Sequence, residues 1–121
     1  MNRVLVVDDA PNSLSAMCGL LEMDGFDAVG APGGQAALDA LRAGRFDAVV
    51  TDLEMPGVHG LEVVRAAAAA TVPVFVVSAY ASSAVAARAL ELGAGAVLSK
   101  PLAYERLLDV LAAAMHPGRA K

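Results

Sequence analysis

Five side chains in this sequence have the types to act together on a phosphoryl group: Asp8, Asp9, Asp52, Ser78 and Lys100. Two carboxylates about 4 Å apart repel by ~4 kcal/mol at an effective dielectric near 20, and three repel more. Lys100 offsets one of those charges. A divalent cation resolves the rest, and an all-oxygen donor set with room for water suits Mg²⁺ and excludes soft metals. The alternative is that the acids share protons or splay into solvent. One nucleophilic carboxylate, one cation, one hydroxyl and one ammonium together suit phosphoryl transfer. Cation and ammonium neutralise equatorial oxygens, the hydroxyl donates to a third, and Asp52 attacks in line to become an aspartyl phosphate. An acid pair alone is weak evidence, and on its own stretch Asp52 reads as a carboxylate starting a loop. The five can act together only where the fold brings them to one place.

The elements that would do so alternate strand and helix. Val4–Val7 is a buried strand closed by Asp8-Asp9. Pro11 suits a first helical turn, and Leu14, Met17, Cys18 and Leu21 recur at helical spacing before Gly25 stops the helix. Cys18 in that stripe reads as a buried, inert thiol. A short strand follows over 27–30. Gly33-Gly34 opens a second helix with Ala37, Leu38 and Leu41 on its apolar face; it matches neither phosphate-loop fingerprint and reads as a turn. Phe46–Thr51 is the third strand and delivers Asp52, after which a Pro56-Gly57 turn leads to a helix over 60–69. His59, in the loop before that helix, reads as a solvated side chain rather than a base. Pro73–Val77 delivers Ser78, and Ser82 or Ser83 caps a helix to about Leu92. Ala96–Ser99 delivers Lys100-Pro101, and Tyr104, Leu107, Leu108, Leu111 and Met115 mark the last helix. The tail from His116 to Lys121 is polar and expected to fray.

Five strand–helix units of this length predict an α/β fold, a five-stranded parallel sheet with helices on both faces and right-handed crossovers. Parallel strands place all their C-terminal ends on one edge, where ligands bind. Asp8, Asp9, Asp52, Ser78 and Lys100 all fall at such ends.

Composition narrows the field. A chain of 121 residues suits one domain. Its net charge of −4, with no Lys/Arg run, argues against direct nucleic-acid binding. One cysteine excludes an internal disulfide and a multi-Cys zinc site. The uncharged stretch from Ala66 to Ala87 contains Pro73, Thr71, Tyr80 and three serines, so it reads as helix end, strand and loop rather than a membrane span. No signal-peptide pattern precedes Arg3. A soluble, cytoplasmic protein without a membrane partner is expected.

Val-Val-Asp-Asp at 6–9, Thr-Asp-Leu-Glu-Met-Pro-Gly at 51–57 with Gly60, Ser78-Ala79 and Lys100-Pro101 together resemble the receiver domain of bacterial two-component response regulators. The similarity runs from Arg3 to about Met115, giving a receiver domain over 1–116 and a short tail over 117–121. The resemblance implies a flavodoxin-like (βα)5 sheet in order 2-1-3-4-5. It implies that Asp52 accepts a phosphoryl group from the phosphohistidine of a histidine kinase or phosphotransfer protein. Mg²⁺ (or Mn²⁺) would be held by Asp9, Asp52 and the Glu54 backbone carbonyl, with Asp8 acting through water. Ser78 and Lys100 would bind the phosphoryl group, and the Lys100–Pro101 peptide would be cis. Catalysis would be limited to the domain's own phosphotransfer and dephosphorylation. A downstream protein would read the fourth helix, fifth strand and fifth helix, and a homodimer is a further possible partner.

Some positions depart from the family pattern. Val97 stands where the family usually has Tyr or Phe, which leaves the relay from hydroxyl to aromatic without its second member. Glu54 and Tyr80 occupy the positions that tune phosphate lifetime: Tyr80 could shield the phosphoryl group, and Glu54 could repel or orient water. Ala103 replaces a usual capping residue, softening the start of the last helix by about 1 kcal/mol. The alternative reading is a phosphorylation-independent, receiver-like binding module, favoured by Val97. A hydrolase with a catalytic aspartate would want Asp rather than Glu54 and a cap insertion. A flavin-binding flavodoxin is disfavoured because Asp8 and Asp9 would repel the flavin phosphate.

Overall fold

A computed structural model of the chain describes residues 2–115. The tail expected over 117–121, and His116 before it, lie outside the described residues. Five strands, β1 (Arg3–Val7), β2 (Asp27–Ala31), β3 (Ala48–Asp52), β4 (Val74–Ser78) and β5 (Ala96–Ser99), alternate with five helices. These are α1 (Pro11–Met23), α2 (Gly34–Ala43), α3 (Gly60–Ala69), α4 (Ala84–Glu91) and α5 (Tyr104–Met115). All neighbouring strands pair in parallel, in the order β2-β1-β3-β4-β5. The expected fold class and strand order are both present.

Strand side chains alternate between two cores. Leu5, Val7, Val49, Val74 and Val76 meet the small residues of α2, α3 and α4, among them Ala37, Ala67, Ala86 and Ala89. Val4, Val6, Val50, Phe75, Val77 and Leu98 meet Leu21 of α1 and Leu107 and Leu111 of α5. β3 and β4 are buried along their whole length, as central parallel strands covered on both faces must be.

Several expectations shift in detail. Phe46 is outside β3; it is the platform for the Arg3 guanidinium, 4.8 Å from the ring centroid. Pro73 sits just before β4, and its carbonyl accepts from Val49 N–H at 2.8 Å. Cys18 is half-buried rather than buried; burial, and then the nearby Glu22 charge, push its thiol pKa up, which keeps it protonated and unreactive. His59 is not simply solvated. It is the N-cap of α3, its Nδ1 accepting from Leu61 N–H at 3.1 Å, a role a half-buried imidazole can fill where Ser or Asp is more usual. Ser83 rather than Ser82 caps α4, its Oγ accepting from Ala86 N–H at 3.1 Å. At the start of α5 the Tyr104 hydroxyl donates to the Leu20 carbonyl or Asp24 carboxylate, 2.9 and 2.7 Å away, tying this helix to the end of α1. Among the described residues no helix is long and apolar enough to cross a membrane.

Candidate functional site

The sheet delivers the expected residues to one edge. Asp52 is the last residue of β3 and Ser78 the last of β4; Asp8 and Asp9 follow β1 directly, and Lys100 follows β5. Backbone bonds extend the ladder past the strand ends and set the register. Asp8 N–H donates to Ala31 O at 3.2 Å, Leu53 N–H to Val77 O at 3.1 Å, and Lys100 N–H to Ser78 O at 2.9 Å. Two glycines let the loop after Asp52 lie flat. A Cβ on Gly60 would overlap the Asp52 carbonyl oxygen and Leu53 Cα, and one on Gly34 would overlap Val58 of the same loop.

One half of the site is crowded with negative charge. Asp8, Asp9 and Asp52 each place a carboxylate oxygen within 4.8 Å of the others. Asp52 is only 6% exposed, while Asp9 is open to solvent. Lys100 Nζ stands 2.6 Å from Asp52 Oδ1, an ion pair by proximity. No directed hydrogen bond from the described residues reaches that buried oxygen. Burial raises the Asp52 carboxyl pKa above its ordinary value; Lys100 pulls it back and Asp8 adds to the rise. Burial lowers the Lys100 ammonium pKa, but Asp52 outweighs that, helped by Asp8 and Glu54, so the net shift is upward and the amine stays charged. Clustered hard oxygens, one of them buried without a directed donor, form a donor set that Mg²⁺ or Mn²⁺ fits. A cavity of about 310 Å³ lies between α1 and the Lys100–Leu102 segment, with Asp8, Asp52 and Lys100 in its lining.

The other half is knit by hydrogen bonds. Ser78 Oγ donates to Glu54 Oε2 at 2.6 Å and accepts from Tyr80 N–H at 2.9 Å. Ala79 N–H donates to Glu54 Oε1 at 3.3 Å. Glu54 was expected at the site through its backbone carbonyl and as a tuning position; its carboxylate bridging to Ser78 and Ala79 was not. Only the loop conformation reveals that bridge, although an acid two residues beyond Asp52 was the available signal. The Ala79 amide was likewise missed as a donor. Tyr80 touches the site through its N–H, and its side chain stands 67% exposed. Val97 pairs with Val76 and packs into the core on the α4 side. The Lys100–Pro101 peptide is cis, as the resemblance implied.

The profile of the response regulator receiver domain matches residues 4–112. The chain belongs to this family. As a receiver domain it is 35% identical over 116 residues to the sensory/regulatory protein RpfC of Xanthomonas campestris, which covers 91% of this chain and 16% of that protein. It is 34% identical over 121 residues to the transcriptional regulatory protein KdpE of Mycobacterium tuberculosis, covering 99% of this chain and 54% of that one. The chain thus spans between about a sixth and about half the length of these relatives. Among solved structures, a Burkholderia pseudomallei response regulator with a phosphorylated aspartic acid, calcium ion and citrate superposes with a TM-score of 0.85 at 26% identity, covering 99% of this receiver and 72% of that chain. Thermotoga maritima TrrA in complex with Mg²⁺-BeF superposes with a TM-score of 0.82 at 29% identity, covering 94% and 99%. The domain is therefore a receiver of the two-component type, homologous to receivers that are phosphorylated on aspartate.

Proposed function

We propose that Asp52 is the phosphoacceptor of this receiver. The observation that carries the reading is the buried Asp52 carboxylate, grouped with Asp8 and Asp9 and held 2.6 Å from Lys100 Nζ. A phosphohistidine on a histidine kinase or phosphotransfer protein is the donor. An Asp52 oxygen attacks phosphorus in line, the P–N bond breaks, and its electron pair stays on the imidazole, which then takes up a proton. Asp8, Asp9, Asp52 and the Glu54 carbonyl would hold Mg²⁺ or Mn²⁺, which when bound neutralises charge on the phosphoryl oxygens. Lys100 balances a further oxygen, and Ser78 donates its hydroxyl proton to another. The domain occupies 1–116 and performs only its own phosphotransfer and dephosphorylation.

The phosphate biases the α4–β5–α5 face, which a downstream protein or a second copy reads in the cytoplasm. Tyr80 and Glu54 set how long the phosphate lasts, and Pro101 fixes the chain beside Lys100. A second reading, a binding module that signals without phosphate, draws support from Val97, which supplies no aromatic side chain to swing with Ser78. The test is incubation with Mg²⁺ and a small-molecule phosphodonor. The native protein should gain acid-labile phosphate and Asp52→Asn should gain none. Equal labelling of the two, or none of either, would overturn the assignment; full signalling by Asp52→Ala in the cell would favour the second reading.

A further inference from the structure

Resting on Asp52 as acceptor, we infer that the Glu54 carboxylate is an internal stand-in for the phosphoryl group, holding the Ser78 hydroxyl and Ala79 amide until it is displaced. The donors involved are few. Ser78 has one hydroxyl proton, and it is directed to Glu54 Oε2 at 2.6 Å. Ala79 has one amide proton, and it is directed to Glu54 Oε1 at 3.3 Å. The Tyr80 N–H holds the Ser78 oxygen from the other side, so the hydroxyl stays turned toward Glu54. A phosphoryl group on Asp52 that needs the Ser78 proton must take it from a carboxylate already bound to it.

Charge and mobility make the displacement one-directional. A phosphoryl dianion brought beside Glu54, Asp8 and Asp9 repels all three, and of these only Glu54 holds the Ser78 and Ala79 donors. Glu54 is exposed, and among the described residues its carboxylate has no salt bridge and no hydrogen-bond donor beyond Ser78 and Ala79. It can therefore rotate into water, freeing the buried Ser78 proton and the Ala79 amide for the phosphoryl oxygens. Phosphorylation would then exchange one anion for another on the same two donors, and the released element is the Glu54 segment between β3 and α3. Such an exchange requires no aromatic at Val97.

The test is a titration with Mg²⁺ and beryllium fluoride, a non-covalent phosphoryl analogue, followed by the amide resonances of Ala79 and Tyr80. Wild type, Glu54→Ala and Glu54→Gln are compared, and amide dispersion confirms that each is folded. Glu54→Ala should saturate at about tenfold lower beryllium fluoride than wild type, with Glu54→Gln between them because it keeps an acceptor but loses the charge. Combined with Ser78→Ala, the gain from Glu54→Ala should shrink, because the contested hydroxyl is gone. Equal or weaker binding by Glu54→Ala overturns the stand-in while leaving the Asp52 site intact. An undiminished tenfold gain in the Ser78→Ala background marks plain charge repulsion and also overturns it. Failure of wild type and Glu54→Ala alike to respond, as with Asp52→Asn, overturns the acceptor reading and the stand-in with it.

Discussion

The two halves of the site are built in opposite ways. Around Asp52 the sheet gathers three carboxylates against one ammonium and leaves a buried oxygen without a directed donor. Around Ser78 three donors find acceptors: the hydroxyl and the Ala79 amide on Glu54, and the Tyr80 amide on the hydroxyl. Both lie at the ends of strands that are buried throughout, so burial alone does not explain the contrast. The difference is in which charges the chain supplies. The acid half carries an excess of negative charge that a cation would offset, whereas the donors of the hydroxyl half are satisfied by an acid of the chain's own. A site made this way should be sensitive to cations on one side and to competing anions on the other.

The largest effect that would break the contrast comes from its one cation. Lys100→Ala removes the only positive group within 4 Å of Asp52 among the described residues. The rate of phosphorylation by a small phosphodonor should fall by about 10²-fold, the usual cost of deleting one preorganised charge partner. A fall of less than about threefold in single-turnover assays would mean that Lys100 is not part of the reacting constellation.

A smaller effect concerns stability. Burial, with Asp8 adding and Lys100 opposing, holds the Asp52 pKa above the unfolded value of 3.8. Between those two values the native state keeps a proton that the unfolded state has released. Its contribution is therefore present below the unfolded value and is lost as pH rises through the raised one. Metal-free wild type should lose stability with rising pH across that window relative to Asp52→Asn, which has no carboxyl to titrate there. At pH 7 the variant should be the more stable of the two. Thermal melts over a pH series without divalent cations check both the slope and its sign.

How far the site was legible in the sequence follows the same division. The acid half was readable because it depends on strand termini: a short apolar run ending in Asp, Ser or Lys places that residue on the sheet edge whatever the loops do. Asp52 and Ser78 are indeed the closing residues of β3 and β4. The hydroxyl half was only partly readable, because the Glu54 carboxylate reaches Ser78 through the conformation of the loop that Gly60 and Gly34 allow. His59 belongs to the same category, its capping role depending on how the loop enters α3. The shift of Phe46 out of β3 depends on Arg3, forty-three positions earlier in the chain, which no local pattern would expose.

In the proposed function the acid half is completed by a divalent cation through Asp52. A Mg²⁺ titration of thermal stability, run in parallel on wild type and Asp52→Asn at pH 7, tests it most directly. Wild type should start lower and gain several degrees as Mg²⁺ rises into the millimolar range, by mass action on the native state, while Asp52→Asn gains much less. No gain in wild type, or the same gain in both proteins, would contradict it.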